Sequence, residues 1–101
     1  MKKPANLPAD RIKRVPIKYD GQDYTFGVDT NMLCNVEEAL GVSFIEAMQS
    51  MSMATMRVML SAGLKDEDGK SVKDVAPIID ACGPTNIATI LAERVSAFSA
   101  G

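Results

Sequence analysis

The sequence has no histidine and no tryptophan, and only three Phe and two Tyr. Without an imidazole it has no Ser-His or Cys-His couple and no His-ligated metal. So few aromatics leave little with which to stack nucleic-acid bases or sugars. The two cysteines, Cys34 and Cys82, stand 48 positions apart. That spacing excludes the CxxC pattern of zinc knuckles and redox motifs and makes two free thiols the default. No stretch reaches the ~20 apolar residues of a membrane span. Met1-Lys2-Lys3 leads into Pro4-Ala5-Asn6-Leu7 rather than into an apolar signal core, so the cytoplasm is the expected compartment, without a membrane partner.

What is present fits one small globular domain: 101 residues, 47% hydrophobic and 24% charged, with a net charge of −2. The charge is uneven. Residues 1–18 hold six basic side chains against Asp10 alone, and the remainder holds five basic and twelve acidic. Pro4 and Pro8 in a stretch without apolar periodicity make 1–12 a flexible basic arm, with 13–101 a single hairpin-plus-helical domain. No aromatics interleave the basic residues and no recognition-helix pattern follows, which argues against a nucleic-acid partner.

From Val15 the apolar period is two: Val15, Ile17 and Tyr19, then Tyr24, Phe26 and Val28 after Asp20-Gly21-Gln22-Asp23. This pattern predicts a β-hairpin with one apolar face and Pro16 on an edge strand. A loop at Asp20-Gly21 pairs Ile17 with Tyr24, and one centred on Gly21-Gln22 pairs Ile17 with Phe26; both keep the same face inward. Helices follow, giving a mainly α fold: an N-terminal β-hairpin and then four to five short helices. The first, about 31–40, is capped by Asp29 or Thr30 and ended by Gly41, with Met32, Leu33, Val36, Ala39 and Leu40 as its stripe. Ser43 and Glu46 form a capping box for a second short helix. A third, about 53–62, carries Met53, Met56, Met59, Leu60 and then Leu64. Lys65 to Lys70 read as a charged loop. Ser71 and Asp74 open a fourth helix burying Val72, Val75, Ile78, Ile79 and Cys82, which Pro77 either kinks or restarts as a shorter helix. The last, about 84–99, carries Ile87, Ile90, Leu91, Val95 and Phe98, with Arg94 inside the stripe and expected to snorkel outward.

Candidate chemistry thins out on inspection. Asp66-Glu67-Asp68-Gly69 has the look of a calcium loop, but aligning its glycine puts Leu64 and Val75 where carboxylate ligands belong, so a polar connector with a tight Asp-Gly turn is the reading. Glu37 and Glu38 are adjacent on a helix, point apart and read as a solvated face. The serines have no base to activate them, and no Asp-Ser-Leu site for a phosphopantetheine arm is present. No catalytic residues, metal or cofactor are expected. Met48, Met51, Met53, Met56 and Met59 are five of seven methionines within twelve residues. A thioether site for copper(I) lacks nearby Cys or His ligands. The same cluster fits either an irregular core or an adaptable surface for apolar helices, with Met56 favouring the core and Met51 the surface. The candidate partner-binding residues are Phe44, Met48, Met51 and Met53, around the break between the second and third helices.

One order of features stands out. The hairpin ending at Tyr24-Thr25-Phe26 is followed by the capped helix with Glu37-Glu38 and Gly41-Val42-Ser43, and then by Met56-Arg57-Val58-Met59-Leu60-Ser61-Ala62-Gly63-Leu64. Ser71, Val75, Ile78-Ile79, Gly83, Ile87 and Ala92 continue it. This order resembles the tail assembly chaperones of long-tailed bacteriophages, prophages and gene transfer agents over about residues 16–98. The basic arm and the methionine density depart from the family pattern. The resemblance implies a small, mostly helical, non-catalytic protein of the bacterial host cytoplasm, absent from the mature virion. It also implies a protein that coats the tape measure protein, presents it to tail tube protein subunits and self-associates. Two other classes fit the same inventory: a virion structural component such as a head-to-tail connector or tail protein, and a small regulatory or nucleic-acid-binding module.

Overall fold

Asp20 and Gly21 decide how the chain first turns back on itself. Both have positive φ, 54° and 76°, the geometry of a type I′ turn whose twist matches that of the strands it joins. The computed structural model describes residues 13–100, so the basic arm expected over 1–12 lies outside the described residues. The turn links β1 (Val15–Tyr19) to β2 (Gln22–Phe26) in antiparallel register, Ile17 opposite Tyr24 and Val15 opposite Phe26, which selects the Asp20-Gly21 loop of the two open registers. Ile17 and Phe26 are buried. Tyr19 opposite Gln22 closes the loop with exchanged hydrogen bonds, so the backbones of Pro16 and Lys18 face the free edge, where proline removes a donor that another strand could use.

After β2 come α1 (Thr30–Leu40), α2 (Phe44–Ser50) and α3 (Met53–Gly63), then a short strand β3 (Leu64–Lys65), α4 (Ala76–Cys82) and α5 (Pro84–Ala100). Over the described residues the fold is mainly helical, a hairpin with five helices. Asp29 caps α1, its Oδ1 accepting the Met32 N–H at 2.8 Å, and Gly41 ends it in the left-handed conformation at φ 75°. Met32, Leu33 and Val36 are buried as expected, but Ala39 is exposed: α3 covers the 32–36 side and leaves Ala39 over a groove. Both halves of the Ser43–Glu46 capping box form. Glu37 is not simply solvated, because its carboxylate accepts the Phe44 N–H at 2.9 Å and ties α1 to the start of α2. In α3, capped by Ser52, the residues Met56, Met59, Leu60 and Gly63 are buried; Met53, expected in the same stripe, is 53% exposed in the first turn.

Two segments depart from the expected pattern. Leu64–Lys65 is a third strand rather than the end of a helical stripe and the start of a loop, because it pairs with β2, Phe26 opposite Leu64 and Thr25 opposite Lys65. The chain then turns tightly. Asp66 Oδ1 accepts the N–H groups of Asp68 and Lys70, both at 2.9 Å, and Ser71 returns to bridge Lys65 while the Val72 N–H bonds Leu64 O at 3.1 Å. Residues 71–75 therefore cannot open a helix, and α4 starts only at Ala76 with Pro77 in its first turn, where its missing N–H costs nothing. Val75, Ile78 and Ile79 are buried, whereas Val72 and Cys82 are half-buried. On α5 the residues Ile87, Leu91 and Val95 are buried, and Arg94 reaches the surface, Nη1 donating to Lys13 O at 3.4 Å.

The core joins these elements through Phe26, Val28, Val36, Met59, Leu60, Leu64, Val75, Ile87 and Leu91, all essentially solvent-free. Among the described residues no buried side-chain nitrogen or oxygen lacks a partner. Among the described residues no helix is long and apolar enough to cross a membrane.

Candidate partner-binding surface

A helix of seven residues has little surface to bury, and α2 wholly buries only Ala47. Phe44 and Met48, one turn apart, and Met51, which closes the helix in the left-handed conformation at φ 41°, are half-buried and pack against the core. Their other sides remain in solvent. Beside them Val42 is 41% and Ile45 58% exposed, and Met53 stands at the start of α3. Among the described residues, the exposed large hydrophobics are Val42, Ile45 and Met53, all within twelve positions. Phe44, Met48 and Met51 thus lie on the core-facing side of α2 and at its C-terminal end, and Met53 is turned outward. Met56 and Met59, at 5% and 0% exposure, are core.

Met53 opens a shallow groove of about 300 Å³, with Ala54 and Arg57 of α3 on one side and Ala76, Ile79 and Asp80 of α4 on the other. Arg57 also lines a second groove of about 690 Å³, bounded by Asn35 and Ala39 of α1, Val58, Ser61 and Ala62 of α3, and Ser71, Lys73 and Asp74. Asn35, Ala62 and Ser71 in turn line a third, polar cavity of about 230 Å³ that contains Arg14, Asp29 and Lys65. The three adjoin as one belt from Arg14 to Met53.

Arg14 holds one end of this belt. Its Nε donates to Thr25 Oγ1 at 2.9 Å and its Nη2 to Thr25 O at 2.8 Å and to Gly63 O, the carbonyl that ends α3. A guanidinium on the last carbonyl of a helix also opposes the negative end of its dipole. Burial pushes the Arg14 pKa below its ordinary value, partly offset by the negative charge of Asp29. Gly27 and Gly63 make the arrangement possible: a Cβ at Gly27 would lie 2.7 Å from Arg14 Nη1, and one at Gly63 2.6 Å from both Gly27 O and Phe26 Cε1.

Sequence reasoning grouped Arg14 with the basic N-terminal residues and passed over Ile45, Arg57 and Lys73. Arg57 had a signal, being the sole charge between Glu46 and Lys65. Ile45 had a weaker one, since Val42, Phe44 and Ile45 give a short helix apolar residues on more sides than one contact can cover. Arg14 had none, because its role depends on a carbonyl 49 positions away. Cys34 is exposed and Cys82 half-buried, both as free thiols. No family model, curated protein or solved structure matches the chain.

Proposed function

We propose that the chain is a non-catalytic tail assembly chaperone of the long-tailed phage type. It holds apolar helical segments of the tape measure protein and presents them to tail tube protein subunits during polymerisation, in the bacterial host cytoplasm. One observation carries the reading: the exposed large hydrophobics of the described residues, Val42, Ile45 and Met53, all fall within 42–53, the stretch that also holds half-buried Phe44, Met48 and Met51. Unbranched thioethers repack around different apolar ligands at little strain, which suits a partner whose segments vary in sequence. The order of motifs over 16–98 supports the same assignment by resemblance. One such surface binds each segment weakly, so covering a long partner requires many copies side by side and hence self-association.

Co-expression with a tape measure fragment tests this reading. The chain should keep the fragment soluble and co-purify with it. The double variant Ile45→Glu, Met53→Glu, changed only at exposed positions, should lose the fragment while keeping its own helical circular dichroism. Mass spectrometry of purified particles separates the chaperone from a virion structural component: the chaperone is absent from them and the component present.

A further inference from the structure

The described residues carry twelve acidic and eight basic side chains, yet the belt of grooves reverses that balance where it passes between α1 and α3. Arg14, Arg57, Lys65 and Lys73 line its two adjoining cavities against Asp29 and Asp74 only. Arg57 and Lys73 are exposed, Lys65 is half-buried, and none of the three makes an ion pair or a side-chain hydrogen bond among the described residues. The one described ion pair lies elsewhere, between Lys18 and Asp23 at 3.2 Å. Three cations without an ion pair of their own, beside two carboxylates and Arg14 in a concave site on an acidic body, raise the potential there and favour an anionic partner.

The floor narrows the class. In the larger groove it is made of Ala39, Val58 and Ala62, small or half-buried apolar side chains that let another backbone approach closely. A free phosphate has a use for the polar end at Arg14 but none for this floor or for the length of the groove. An amphipathic segment uses both, with alanine or leucine on the floor and carboxylates toward Arg57 and Lys73. We propose that this cleft docks an acidic amphipathic peptide segment of a partner protein. The assignment rests on the cleft's own charges and floor and stands independently of the tape measure reading.

The test uses the full chain and fluorescence polarisation with an end-blocked, labelled peptide of Glu, Ala and Leu, beside a counterpart with Lys for every Glu. The acidic peptide should bind saturably, the basic one should not, and rising salt should weaken binding. Arg57→Glu with Lys73→Glu should weaken it by about tenfold or more, while Ile45→Gln, an uncharged change outside the grooves, leaves it within about twofold. Should the cleft variant fail to fold, the milder Arg57→Gln with Lys73→Gln and the salt series on the unaltered chain carry the test. Equal binding of both peptides, an acidic peptide that does not bind, or binding untouched by the cleft variants would overturn the assignment. So would inorganic phosphate alone displacing the peptide at stoichiometric concentration, which would mark the cleft as a small-anion site.

Discussion

Gly63 has no room for a methyl group. Its Cβ would meet a backbone oxygen and the Phe26 ring, neither of which can swing aside, so Gly63→Ala should destabilise the fold by about 1–3 kcal/mol in urea unfolding. An unchanged midpoint would mean that α3 and β2 do not approach as described. Arg14 works at the same junction. Arg14→Ala removes charge-assisted bonds to Thr25 and Gly63 and should cost about 2 kcal/mol. Arg14→Lys should recover only part of this, because an ammonium lacks the planar fork that reaches the Thr25 hydroxyl through Nε and the Thr25 and Gly63 carbonyls through Nη2 at once. Cys34 is exposed and Cys82 half-buried, so a thiol reagent should modify Cys34 first in the native protein; equal rates would contradict the phase assigned to α1 and α4.

Among the elements, α2 depends most on its ends. Its seven residues wholly bury Ala47 alone, and its N-terminus is held by the Ser43 hydroxyl and the Glu37 carboxylate. Ser43→Ala should cost about 1 kcal/mol, read chiefly as faster amide exchange over 44–50. Such local punctuation was the part of the fold legible in the sequence: Asp29 or Thr30 as the α1 cap, Gly41, and Ser43 with Glu46 act on neighbours a few residues away, as does the hairpin turn, whose place the pattern left open between Asp20-Gly21 and Gly21-Gln22. The third strand was not legible. Leu64 and Lys65 are extended because β2 offers them an edge and Gly63 lets α3 come close enough to reach it, and neither condition is local. The late start of α4 has the same origin, since Ser71 and Val72 are engaged by β3 before a helix can form. For the site, the methionine cluster was readable as composition, but its division into core Met56 and Met59, half-buried Met48 and Met51, and exposed Met53 is set by how α2 and α3 meet the body.

At the scale of the whole molecule, Arg57 lines both the groove that Met53 opens and the larger cationic cleft, among described residues that are acidic in sum. On the proposals above, the exposed residues of 42–53 take apolar helical segments and the cleft takes acidic ones. Isothermal titration of a tape measure fragment into the unaltered chain and into the Ile45→Glu, Met53→Glu double variant tests the central assignment most directly. The unaltered chain should bind with a negative heat-capacity change, the mark of apolar burial, and the variant should bind at least about tenfold more weakly with the same thermal midpoint. Equal affinity in the two proteins, or no binding by the unaltered chain, would contradict it.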